Sequence, residues 1–256
     1  MNADFEVPSR FCLAALLLLG LASCGGGGSG SATPSPVPTV APTPTPHPLP
    51  LASACFNPVL FQAGSHWELN YEERDATGKL VGSPPENETV SVGNLDGKPA
   101  LVMTSRSGIE TDSRYFALRD GNVIETLADE IFIFGPIPLG SHATYTPAKL
   151  DRRWTLASGQ ADSFGYTAAT VSDVAGSPGE PTSLAVSGVI SYLGEEKITV
   201  PAGTFNTCKF QTITASTTVT EWFTTAGIVA KTTTVDASGT LQRNLVFGAV
   251  NGIAIQ

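Results

Sequence analysis

Four cysteines, three histidines and several carboxylate pairs are the side chains from which chemistry could be built in this 256-residue chain. Cys24 closes the sequence Leu21-Ala22-Ser23-Cys24, after a run from Phe11 to Ser23 that is almost wholly apolar. The run is shorter than a bilayer core requires, about 20 residues, and has the length of a signal-peptide apolar region. The small residues before Cys24 let the chain lie extended in a peptidase cleft. His66 and His142 recur in matched Gly-Ser-His contexts, which raises a two-histidine metal site. Neither has a cysteine or carboxylate at ligand spacing, so a polar residue opening each strand is the preferred reading. No Gly-x-Ser-x-Gly elbow offers a serine nucleophile. Glu72-Glu73, Asp129-Glu130 and Glu195-Glu196 are neighbours whose side chains point to opposite faces of a strand. They read as solvated charges rather than a convergent acid and base. The sequence therefore names no catalytic residue, no metal ligand and no cofactor.

Leu21-Ala22-Ser23-Cys24 resembles the lipobox of bacterial lipoproteins, with Leu21 at the third position before the cysteine. In that family the thiol receives a diacylglycerol and a dedicated peptidase cuts just before it. The resemblance implies that Cys24 becomes a lipidated N-terminus bearing palmitate-type chains. Lipoproteins carry two or three chains, and two hold stably where one holds marginally, at about 0.8 kcal/mol per methylene. Arg10 is the only basic residue of the leading segment and is offset by Asp4 and Glu6, whereas the usual leader is more positive. Residue 25 is Gly and not the Asp that retains enteric lipoproteins in the inner membrane, which implies the outer membrane. The alternative is an ordinary secretory signal with an incidental cysteine.

Three segments precede or build the body that this anchor would hold. Residues 1–23 read as signal peptide, 24–54 as lipidated cysteine and linker, and 55–256 as one β-rich domain. Gly25 to Ser31 is a flexible coil, and Thr33 to Pro50 alternates proline with Thr, Val, Ser and Ala. The latter favours a solvated, disordered polyproline stalk of about 3.1 Å per residue. Net charge is −9 with 14 basic residues, and no basic stripe is present to suit nucleic acid or anionic lipid. Once Cys12 leaves with the leader and Cys24 takes lipid, Cys55 and Cys208 remain, an even number in an oxidising compartment. We expect them to pair, closing a loop worth about 5 kcal/mol of chain entropy. Two buried free thiols are the alternative, because spacing alone does not show that they meet.

From Phe56 onward the pattern has period two, with no long amphipathic helix. His66 to Arg74 alternates Trp67, Leu69 and Tyr71 with polar residues, and Asp75-Ala76-Thr77-Gly78 turns the chain. Turns at 93–98, 119–122 and 236–239 divide further strand pairs, each with a glycine able to supply positive φ. Such units argue for an antiparallel meander. Gly64-Ser65-His66 and Gly140-Ser141-His142 each follow proline and an apolar stretch, an echo suggesting two duplicated halves. Val200-Pro201-Ala202-Gly203-Thr204-Phe205, then Glu221-Trp222-Phe223 and Gly227-Ile228-Val229-Ala230-Lys231, resembles a group of uncharacterised bacterial secreted and lipoprotein β domains. The resemblance spans about 56–247. It implies an all-β fold, a large curved antiparallel sheet like half of a barrel, comparable to envelope lipoprotein carriers. It brings no activity with it.

Ile131-Phe132-Ile133-Phe134-Gly135-Pro136-Ile137-Pro138-Leu139 is the most apolar stretch after the leader. The favoured reading is a central strand buried on both sides. The sharper one makes it the lining of a concave mouth that meets an acyl chain or a partner. Phe132, Phe134, Ile137, Trp67 and Trp222 are then the ligand-binding candidates. The functional expectation is a non-enzymatic, membrane-anchored envelope lipoprotein binding an apolar ligand or an envelope protein through a curved sheet. A structural or surface-displayed module and a hydrolase of unrecognised type are the alternatives.

Overall fold

The computed structural model describes residues 50–82 and 85–255. The lipobox, Cys24 and most of the linker lie outside the described residues. Three short 3-10 turns, η1 (Ala52–Cys55), η2 (Pro58–Phe61) and η3 (Arg153–Thr155), accompany strands that carry nearly everything else. The strands are β1 (His66–Asp75), β2 (Glu86–Leu95), β3 (Lys98–Ser107), β4 (Glu110–Arg119), β5 (Val123–Ile133), β6 (Leu139–Asp151) and β7 (Ala161–Val174). They continue as β8 (Ser177–Pro178), β9 (Thr182–Val200), β10 (Gly203–Thr214), β11 (Thr218–Thr224), β12 (Val229–Asp236), β13 (Gly239–Val250) and β14 (Ile253–Ala254).

The expected antiparallel meander is present, and it curves past a half-barrel to full closure. Each long strand pairs with the next, β8 hangs from β7, and β13 returns to β1 from Trp67↔Val250 to Asp75↔Leu241. Among the described residues this makes a closed barrel of twelve strands. The β1–β2 seam is short, His66–Leu69 against Glu86–Thr89; around the rest of the described wall, closure removes the free edges that an open sheet presents. The turns form where the sequence placed them. Asp96 and Gly97, both at positive φ (50° and 80°), join β2 to β3, the geometry that matches the twist of a two-residue hairpin. The Val200-Pro201-Ala202-Gly203 turn joins β9 to β10.

The two Gly-Ser-His segments are not equivalent. Five successive antiparallel pairings separate β1 from β6, so the two strands run in opposite directions. Ser65 and His66 enter β1, whereas Ser141 and His142 lie along β6 after the β5–β6 loop. A duplication into two like halves is not reflected in these positions.

Eight strands give a barrel that side chains alone can fill, and a wider one needs something more. Here the chain ahead of β1 serves. Ala52, Cys55 and Leu60 are buried against Trp154, Phe210, Phe223 and against Trp67, Leu69, Phe116 respectively. Phe61 meets Phe116 edge-on, ring centroids 6.0 Å apart, and stacks on Phe56 at 5.3 Å. Leu51 pairs with Ala157, and Ala52 N–H donates to the Leu156 carbonyl. Cys55 and Cys208 are disulfide-bonded, their Cα atoms 6.0 Å apart. At Gly227 (φ 82°) a Cβ would lie 2.8 Å from Leu60 Cδ1 and 2.9 Å from Asn57 Cβ, so only glycine lets this plug seat against the β11–β12 turn. One barrel end is thus closed by η1, η2 and η3, while the 107–110, 133–139 and 214–218 turns ring the other.

The apolar 131–139 stretch is not a doubly buried strand. It is the end of β5 and the loop into β6, and Phe132, Phe134 and Ile137 are 41, 57 and 62% exposed. Proline at 136 and 138 and Gly135 break the ladder there, which leaves the stretch at the rim.

Candidate functional site: the barrel lumen

Side-chain parity on β1 sets the inner face. Trp67, Leu69 and Tyr71 are buried while His66, Glu68 and Asn70 are exposed. Register carries that face around the wall. Trp67 lies opposite Glu88, Glu88 opposite Ser105, and Ser105 opposite Asp112. In the neighbouring row Met103 faces Arg114 and Arg114 faces Asp129. Polar and charged groups therefore point inward above the aromatic plug. They line a cavity of about 420 Å³ that reaches down to Leu60 and Trp154, and a second of about 340 Å³ that reaches up to Ile131. Glu86, Glu88, Met103, Arg114 and Arg243 border both, so the two form one lumen. A side chamber of about 230 Å³ opens between Lys149, Phe164, Tyr166 and Ile190. These volumes suit a small ligand.

Ion pairs hold most of the inner charge. Arg153 spans Asp151 (2.8 Å) and Glu221 (2.7 Å) and stacks against Phe210 and Phe223. Burial alone would weaken its hold on its proton, but the two carboxylates outweigh that and raise it above its ordinary value. Arg243 pairs with Glu86, approaches Glu73 at 3.8 Å, and lies 3.8 Å from the centre of the Tyr71 ring. Arg114 Nε donates to Asp129 (3.2 Å), which also accepts from Tyr145 Oη (2.5 Å). Lys149 sits over Tyr166 at 5.9 Å, its proton affinity lowered chiefly by burial and next by Arg114.

Glu88 and Asp112 are different. Burial, reinforced by Glu86, pushes Glu88 up to about 7, and burial, reinforced by Glu110, pushes Asp112 up to about 6. A carboxyl whose folded value is raised stabilises the fold below its unfolded value, and that contribution is lost as pH rises through the folded value. For Glu88 the window runs from its ordinary 4.5 to about 7. The melting temperature is expected to fall across that window, and Glu88→Gln to flatten the slope. Scanning calorimetry of both proteins against pH checks this, and parallel slopes would refute it.

The five ligand candidates are not brought together. Phe132 and Phe134 pack edge-to-face at 4.6 Å on the rim, with Ile137 in the same loop. Trp67 is buried inside the barrel, directly opposite Glu88. Trp222 is on the outer wall, between the ammonium groups of Lys209 (5.0 Å) and Lys231 (4.9 Å), with its Nε1 donating to Glu196. Other outward positions bear Glu68, Glu72 and Arg74 on β1, and Glu130 beside His142 on β5 and β6. Charges at mid-strand do not make the apolar band of a lipid-facing barrel wall. Asp129, which the sequence reads with Glu130 as a solvated charge, instead faces inward and accepts from Arg114 and Tyr145, and the inner charges Glu88, Asp112, Arg114, Lys149 and Arg243 escaped the sequence reading. Their inward parity follows from Trp67, Leu69 and Tyr71 only when the register between strands is known.

No protein-family model and no curated protein matches this chain.

Proposed function

We propose that this chain is a lipid-anchored binding protein of the cell envelope, tethered through Cys24 and receiving a small molecule in its barrel. The outer membrane is the expected location. The supporting observation is the lumen itself, closed at the stalk end and lined by aromatic faces together with charged groups. A barrel with a purely structural task would gain about 25 cal/mol per Å² by packing apolar groups inside. Inward carboxylates beside open volume carry a desolvation cost instead. The lining moves the ligand from the apolar chain expected of the sequence to a polar or amphipathic molecule, bound without catalysis. A second reading, a docked envelope protein, draws on Phe132, Phe134 and Ile137, exposed at the rim.

Two measurements test the proposal. Cells fed labelled palmitate should label the wild type and not Cys24→Ala, which should persist as uncleaved precursor; equal labelling would remove the anchor. Native mass spectrometry of the detergent-purified chain should find a small molecule retained, and Ser105→Trp, which fills the lumen, should lose it. A wild type that retains nothing and responds to no added probe would remove the binding role.

A further inference from the structure

Resting on the lumen as the binding chamber, we propose that its ligand is a small organic cation, an amine or diamine, held between Glu88 and Asp112 on either side of Ser105. The guanidinium groups inside are already engaged: Arg153 by Asp151 and Glu221, Arg243 by Glu86 and Glu73, Arg114 by Asp129. Glu88 and Asp112 form none of the ion pairs among the described residues. Glu88 is faced by Glu86 on its own strand, by Arg114 and Arg243 two strands away on either side, and by the Trp67 side chain. Asp112 is faced by Glu110, Asp129 and Arg114. Each of those arginines is thus shared among more carboxylates than it can neutralise. Lys149 stands farther along the wall, over Tyr166, among Arg114, Asp129, Asp151 and Arg153.

The geometry suits a cation. Glu88 and Asp112 are both directly opposite Ser105, so their backbones lie two strand spacings apart, about 10 Å. Serine between them is small, and all three line the same 340 Å³ cavity. A flexible diamine reaches both carboxylates there. An anion would add like charge to two unmatched carboxylates, and a neutral molecule would leave them unmatched. The inner aromatic faces also accept positive charge, since Arg243 already covers Tyr71.

Titration calorimetry of the full chain in detergent, with 1,5-diaminopentane and its uncharged counterpart 1,5-pentanediol, tests the assignment. The diamine should bind at pH 8 and the diol should not. Glu88→Gln and Asp112→Asn should each weaken the diamine at least tenfold, about 1.4 kcal/mol. Affinity should fall at pH 5, where the two carboxyls hold protons. Both substitutions remove repulsion, and melting curves verify that the variants fold. Equal binding of the diol, or of glutarate as an anionic probe, would overturn the cation and leave the lumen reading standing. Undiminished diamine binding by the double variant would overturn it too, by placing the amine on outer carboxylates. No binding by any probe, with nothing retained in native mass spectrometry, would remove both.

Discussion

Cys208→Ala is expected to lower the stability of the barrel by about 3–5 kcal/mol and to free the plug. The bond joins positions 153 residues apart, and closure entropy in the unfolded chain grows with loop length. Two local losses add to it. Cys208 is fully buried among Tyr192, Phe210 and Ala52, and shortening its side chain opens a void at that contact. Without the bond, η1 would be held by apolar contacts and by the backbone hydrogen bonds of Pro50 to Ala52 with the 156–158 segment. The check is a denaturant titration read alongside thiol labelling. Cys55 should react in the folded variant and stay silent in the folded wild type. A midpoint unchanged within error would contradict the assignment of the disulfide as the plug's main fastening.

Arg153→Met should cost a similar amount, about 3–5 kcal/mol, by a different route. Asp151 and Glu221 both depend on this guanidinium, and methionine would leave two inward carboxylates facing one another. It keeps much of the aliphatic contact with Phe210 and Phe223, so the loss reports charge rather than packing. Adding Asp151→Asn and Glu221→Gln to the same protein should recover most of the stability, because removing all partners of a buried ion group is often neutral. Denaturation midpoints at constant slope measure both steps. A triple variant no more stable than the single one would show that the loss came from packing.

How far such features can be read from residues alone depends on their range. The hairpin turns were legible because Asp96-Gly97 and Val200 to Gly203 carry their conformation locally. The Cys55–Cys208 pair was legible by elimination. Closure of β13 on β1 was not, since its partners lie more than 160 residues apart and no local signal marks them. Trp67 and Trp222 look alike as aromatic strand residues, yet one faces inward and the other outward. A bulge on β12 leaves Ala230 between the partners of Trp222 and Phe223, so inside and outside do not carry from strand to strand by counting, and a shift of one residue exchanges the two faces. The same limit hid the lumen. An alternation of polar and apolar residues does not say which face is inside when the inside is itself charged. The apolar 131–139 run misled for a related reason, because hydropathy reports no distance from the barrel axis.

The route by which the chain enters the body has a mechanical consequence. Any tug on the residues ahead of Leu51 meets the Leu51–Ala157 bridge first, and the sulfur link to β10 four residues later. Load passes covalently into the middle of the wall before it can reach His66. A chain fastened this way does not unzip the first strand from its neighbours, so a pull on the residues ahead of the body would leave the shape of the barrel undisturbed.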